Sequence, residues 1–188
     1  MLKLKGQRLL DAFYNFFASS HYLKEKLQVV LAQLPANFTA DDKAIENLVE
    51  HTERLKKKYG LDFRLAVELR HESWFTPKVL DPDRKILNKS SISYGAGLLS
   101  NYNIAHVINS APKHWPTHKE VTADFAYIRF HGTESLYASA YSDKELNEWA
   151  DFIKTKLKKC RQVYVYFNND LSAKAIENAR YLQRAFST

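Results

Sequence analysis

The stretch FAYIRFHG, residues 125–132, decides how this chain is read. Side chains on a strand alternate between faces. Ala126, Ile128 and Phe130 therefore share one face, and Tyr127, Arg129 and His131 share the other. The first face is apolar throughout, and the second turns polar only toward its C-terminal end. The same design recurs in VYVYFN, 163–168, where Val163, Val165 and Phe167 oppose Tyr164, Tyr166 and Asn168. In FRLAVELR, 63–70, Leu65, Val67 and Leu69 oppose Ala66, Glu68 and Arg70. Val29, Leu31 and Gln33 share a parity in LQVVLAQLP, as do Ala105, Val107 and Asn109 in IAHVINS, 104–110.

Helical segments separate these strands. From Leu2 to about Ser19, Leu9, Leu10, Phe13, Phe16 and Phe17 recur at helical spacing. Thr39 or Asp41 caps a helix running to Lys58, closed by Gly60 at the C′ position. HESWFTP leads to a short helix near Pro77–Leu80. The stretch Asp81–Gly97 holds Pro82, Ser90, Ser91, Ser93, Gly95 and Gly97, and reads as a loop-like insertion before a helix resumes at Leu98–Tyr102. Ser142 caps a helix through Lys159, with Glu145 completing a capping box. A last helix covers about Ser172 to Phe186. Strands alternating with helices imply βα units on a parallel sheet. In a β/α barrel the partly polar face is the interior, and its C-terminal end is where active sites sit.

Composition sets the remaining bounds. A chain of 188 residues, 45% of them apolar, predicts one domain over residues 1–188 with a real core. No apolar run is long enough to cross a bilayer, so no membrane is expected. The single cysteine, Cys160, forbids an internal disulfide, and a cytoplasmic location follows as the expectation. A net charge of +7 and a pI near 9.3 permit attraction to polyanions. Much of that excess lies in Lys56–Lys58 and Lys154–Lys159, where a solvated helix face is the plainer explanation.

Several motifs together carry a family resemblance. VELRHESWF (67–75), ADFAYIRFHG (123–132), the YS-x-x-EL-x-x-WA pattern (141–150), VYVYFNND (163–170) and VVLAQLPANF (29–38) resemble the domain-of-unknown-function family 72, also called YecE-like. The resemblance covers Leu23 to Phe186 and implies a TIM-type β/α barrel without an established reaction. It also implies that the first three strands of an eight-stranded barrel have no counterpart here, so the fold class is a partial TIM-type barrel with about five parallel strands. Asn109 stands where many relatives have Asp. Five parallel strands do not close a small barrel. The expected consequences are a homodimer through the open edge, an open sheet, or poor solubility.

The strand ends suggest binding of an anionic, phosphate- or carboxylate-bearing substrate. Arg70 and Arg129 are candidate anion clamps. Glu68 or His131 would act as general base and His71 as acid. Gln33, Tyr166, Asn168, Asn169 and Asp170 would supply polar contacts at the rim. The plainer alternative is a closed ion-pair network of Glu68, Arg70 and Arg129 that merely plugs the barrel. Glu68, His71, His131 and Asp170 are of metal-ligating type, but they form no tight motif and arginines stand among them, so no metal is expected and no cofactor is named. Cys160, at a helix end among lysines, is a poor nucleophile candidate. The competing functions are a nucleic-acid or nucleotide binding module, with bases stacked on Trp74, Trp115, Tyr137 and Tyr141, and an inactive truncated form, since barrel sites draw residues from several strands. Enzyme and binding module differ over Glu68: an acid/base enzyme needs it, and a polyanion binder does not.

Overall fold

The computed structural model describes residues 7–76, 93–112, 115 and 117–187. The chain divides into two compact units, Met1–Ile104 and Ala105–Thr188.

The first unit contains helix α1 (Gln7–Ser20), strand β1 (Val29–Gln33), helix α2 (Asp42–Tyr59), strand β2 (Arg64–Glu68) and helix α3 (Tyr94–Ser100). Asp41 caps α2 by accepting from the Ala44 N–H. Gly60 ends α2 at φ 61°, a left-handed conformation that glycine adopts without a Cβ penalty. Strands β1 and β2 pair in parallel, with Val30 opposite Leu65 and Gln33 opposite Glu68. Val30, Leu65 and Val67 join Phe17, Ile45, Leu48 and Leu55 in one apolar core. Each fully buried side chain of this size contributes about 1.5–3 kcal/mol. Phe17 is buried in that core, whereas Phe16 of the predicted helical stripe stands half exposed. The side chains of Leu9, Leu10 and Phe13 lie outside the described residues.

One expectation is corrected here. Tyr94–Gly97, read as the end of a loop, form the first turn of α3. Gly95 obscured this by its low helix propensity. A Cβ on Gly95 would sit 2.5 Å from Leu69 Cδ1 and 3.1 Å from the Trp74 carbonyl oxygen, so the glycine buys close packing at the cost of a sequence signal. The short helix expected near Pro77–Leu80, and the part of the insertion up to Ile92, lie outside the described residues. A single 3-10 turn forms at Glu72–Trp74.

The second unit contains strand β3 (Ala105–Ser110), strand β4 (Phe125–Phe130), helix α4 (Asp143–Lys156), strand β5 (Gln162–Phe167) and helix α5 (Lys174–Arg184). All pairings are parallel: Asn109 lies opposite Arg129, and Arg129 opposite Tyr166. The predicted capping box closes at Ser142 and Glu145, with both reciprocal bonds present. Helix α4 stops at Lys156, short of the expected Lys159. Leu157 is buried just beyond it, and four further residues, 158–161, carry the chain to β5. Ile108, Ile128 and Phe130 pack with Leu146, Ile153 and Leu182, and Val163, Val165 and Phe167 lie against the same core. Phe130 contacts Tyr141, Trp149 and Phe167 with ring centroids 5.0, 5.0 and 4.4 Å away. The alternation read from FAYIRFHG thus separates a helix-facing apolar face from one carrying Asn109, Tyr127, Arg129 and Tyr166.

Candidate functional site

In the first unit the polar residues gather where β1 and β2 end. Gln33 and Glu68 are register partners, and the Leu34 N–H donates to the Glu68 carbonyl at 3.1 Å, extending the pairing past β1. The Glu68 side chain is fully buried, with Oε1 3.7 Å from Arg70 Nε. A buried carboxylate is tolerated only beside a compensating cation. This contact gives Arg70 a structural duty that competes with a ligand clamp.

His71 is tied into the turn that follows. Its Nδ1 accepts from the Ser73 N–H at 3.1 Å and lies 2.9 Å from Ser73 Oγ. Ser73 Oγ accepts in turn from the Ala40 N–H at 2.8 Å. An Nδ1 that accepts leaves the neutral ring's proton on Nε2, so His71 presents a donor there. Trp74 is fully buried, stacks on Phe38 and Tyr94, and donates its indole N–H to the Phe38 carbonyl. It is a packing residue and offers no face to a base. This unit also holds an apolar cavity of about 260 Å³, lined by residues such as Phe16, Phe17, Leu31, Phe38 and Leu48 and by no charged side chain.

In the second unit the row Asn109–Arg129–Tyr166 crosses three strands on one face. Arg129 is half-buried and donates Nε–H to Asn168 Oδ1 at 3.1 Å. Asn168 is held in turn, because its N–H donates to the Phe130 carbonyl at 2.7 Å. His131 is fully buried, with its N–H on the Ser110 carbonyl. Trp115 lies edge-on to its ring at 4.9 Å and Tyr137 at 5.6 Å.

The loop after β4 is built on hydroxyls. Tyr141, nearly fully buried, takes the Gly132 N–H on its hydroxyl at 3.0 Å and reaches the Ser110 carbonyl at 3.1 Å. Burial pushes that phenol's pKa up, so it stays a neutral donor. The N–H groups of Thr133, Glu134 and Ser135 converge on Ser139 Oγ at 2.9–3.2 Å. Asn169 is fully buried under this loop, donating to the Ser139 carbonyl and to Asn178 Oδ1. Asp170 is exposed beyond it. The sequence reading put Asn168 and Asn169 together at the rim; in the structure Asn168 accepts from Arg129, whereas Asn169 is buried and bonded to the Ser139 carbonyl and to Asn178. Tyr141 and the Ser139 hydroxyl were not singled out as organisers of the rim. Tyr141 is revealed only by its contact with Ser110, 31 residues away, and Ser139 by a loop of local bonds that has no periodic signal.

The lysine runs occupy helix surfaces. Lys56 pairs with Glu53 at 2.9 Å and lies over the Phe63 ring, and Lys58 lies over Tyr14 and Tyr59. Burial and then the Asp124 carboxylate raise the Cys160 thiol's pKa, so it is not an activated nucleophile. Among the described residues no cluster of three or more His, Cys, Asp and Glu forms a metal site. Among them, too, no helix is long and apolar enough to cross a membrane.

Parallel βα units with polar side chains collected at the strand ends define the class: a partial TIM-type barrel of five parallel strands, α/β throughout. The family model described as "Protein of unknown function DUF72" matches residues 3–188, and the chain belongs to that family. It is 24% identical to the UPF0759 protein YunF of Bacillus subtilis over 94% of this chain and 63% of that protein. A solved DUF72 family protein from Thermotoga maritima matches with TM-score 0.67 and 27% identity, over 95% of this chain and 65% of that one. A second, from Enterococcus faecalis, matches with TM-score 0.69 and 19% identity, over all of this chain and 71% of that one. The chain therefore spans somewhat less than two thirds of the curated relative it matches.

Proposed function

We propose that this chain binds a phosphate- or carboxylate-bearing small molecule at the strand ends of its second unit, and that its family chemistry is hydrolytic. The observation that carries the reading is Arg129: a guanidinium held by Asn168 on the face away from the helices, in one row with Asn109 and Tyr166. Arginine's planar fork suits bidentate capture of such anions. In the first unit, taken by itself, Glu68 is the candidate general base and His71 the candidate acid, the latter only as the imidazolium, since its neutral ring offers Nε2–H as a hydrogen-bond donor. Gln33 and Asp170 are exposed polar groups at their respective rims.

The test is a thermal-shift screen of the purified chain against phosphate, carboxylates, short single-stranded DNA and divalent metals, with Arg129→Ala in parallel. Small anions that stabilise the wild type and not the variant support the reading. Bis-p-nitrophenyl phosphate then tests turnover, which Arg129→Ala must abolish, and Glu68→Gln tests separately whether the first unit's carboxylate takes part. A response to DNA alone, unaffected or strengthened by Glu68→Gln, would favour a polyanion-binding module. That alternative has the net charge of +7 in its support. It has lost Trp74 and Tyr141 as stacking platforms, since both are core residues.

We further propose a homodimer through β5, which among the described residues pairs only with β4. Exposed Leu171, Ile176 and Phe186 on the same unit support it. Light scattering showing a monomer at all concentrations would remove this part. One cysteine with a raised pKa fits a reducing, cytoplasmic setting.

A further inference from the structure

We infer that a sugar-ring subsite flanks Arg129, so that the anion it captures belongs to a phosphorylated or carboxylated sugar; this rests on the anion reading above. Two observations independent of the arginine carry it. The first is Asn109. It is only 2% exposed, and its Oδ1 has no hydrogen-bond partner among the described residues. Buried amide oxygens are almost always bonded. An acceptor kept there in the ligand-free chain, beside Arg129, is matched by a hydroxyl that arrives with a ligand.

The second is Tyr166, on the other side of the same row. It is 43% exposed, although its ring is stacked on Tyr127 at 4.9 Å and 20°. One face of the phenol ring is thus fixed by Tyr127, which is itself buried. Its position is set before any ligand arrives, and the exposed part is free for contact. A rigid tyrosine face packs well against the C–H face of a sugar ring or against another planar ring. Neighbouring strands lie about 4.8 Å apart, so Asn109 and Tyr166 stand roughly 10 Å apart with Arg129 between them. An acceptor, a cation and an aromatic face in one row match a compact ligand with a hydroxyl, an anionic group and a ring. The acceptor at Asn109 favours a hydroxylated ring over a bare aromatic one.

Calorimetric titration of the full chain tests this with inorganic phosphate, glucose 6-phosphate, ribose 5-phosphate and phenyl phosphate, and with glucuronate against acetate for a carboxylate source. We expect the sugar phosphates, or glucuronate in the carboxylate pair, to bind at least tenfold tighter than the bare anion. Tyr166→Ala, at an exposed position that does not threaten folding, must cancel that advantage and leave bare-anion affinity within twofold. Asn109→Leu must weaken sugar binding at least fivefold while the ligand-free melting temperature holds or rises. A structural asparagine would show the opposite stability change. Equal affinity for bare and sugar-linked anions, or an advantage that survives both substitutions, overturns the subsite. Phenyl phosphate outranking the sugar phosphates overturns the hydroxylated ring. If no anion binds the wild type, the underlying anion reading has failed, and that outcome is distinct because Arg129→Ala then changes nothing.

Discussion

Arg129 donates its Nε–H to Asn168 Oδ1 at 3.1 Å, from the last full turn of pleat in β4 to the residue just past β5. That bond fixes one edge of the guanidinium and orients the rest of the fork. A charge-assisted hydrogen bond of this kind contributes about 1.5–3 kcal/mol when fully formed. Asn168→Ala should therefore weaken phosphate binding by about tenfold and lower the unfolding free energy by about 1–2 kcal/mol. Titration calorimetry and urea unfolding check the two halves separately.

The Tyr141 hydroxyl bridges the Gly132 N–H and the Ser110 carbonyl, and so ties the loop after β4 to the end of β3. Tyr141→Phe keeps the ring packed on Phe130 and leaves the buried Gly132 N–H without its acceptor. The cost should be about 1–3 kcal/mol, read by urea denaturation.

Glu68 and Arg70 should behave as a buried pair. Arg70→Met removes the cation 3.7 Å from a fully buried carboxylate and should cost on the order of 3 kcal/mol. Adding Glu68→Gln should recover most of that loss, which a double-mutant cycle measures. A pair acting only as a solvent-facing clamp would give additive, small effects.

His106 makes stability depend on pH. Burial first, and then the neighbouring His118, lower its pKa from 6.5 to about 4. The folded chain therefore holds this ring neutral, while the unfolded chain protonates it below pH 6.5. The unfolded state binds the extra proton, so stability rises with pH across this window. The contribution is fully present above about pH 6.5 and is lost as pH falls toward 4, a change of roughly 3 kcal/mol. Unfolding free energy measured between pH 7 and 4.5 should fall more steeply for wild type than for His106→Gln.

Much of this was legible in the sequence, and the exceptions have physical causes. Alternation in FAYIRFHG and VYVYFN separated Ile128 and Val165 from Arg129 and Tyr166 correctly, because a period of two fixes the face of every side chain once the strand is recognised. Caps at Asp41, Gly60 and Ser142 were readable because their chemistry is local. Helix α3 was read too short, because Gly95 was chosen for its fit against Leu69 and Trp74 at the expense of helix propensity. Trp74 and Tyr141 looked like loop aromatics, and are buried because the Phe38 carbonyl, and the Ser110 carbonyl with the Gly132 N–H, satisfy their polar atoms. The closeness of Arg70 to Glu68 could be suspected from i, i+2 spacing. Its distance depends on the chain leaving β2 at Glu68.

The central claim is that an anion is captured at the strand ends by Arg129 and not by the lysine-rich helix faces. A crystal of the full chain soaked in tungstate tests it most directly, because the metal's anomalous signal marks where the anion sits. The account predicts a peak within hydrogen-bond reach of the Arg129 guanidinium, lost in Arg129→Ala. Peaks confined to Lys56–Lys58 or Lys154–Lys159, with none at Arg129, would contradict it.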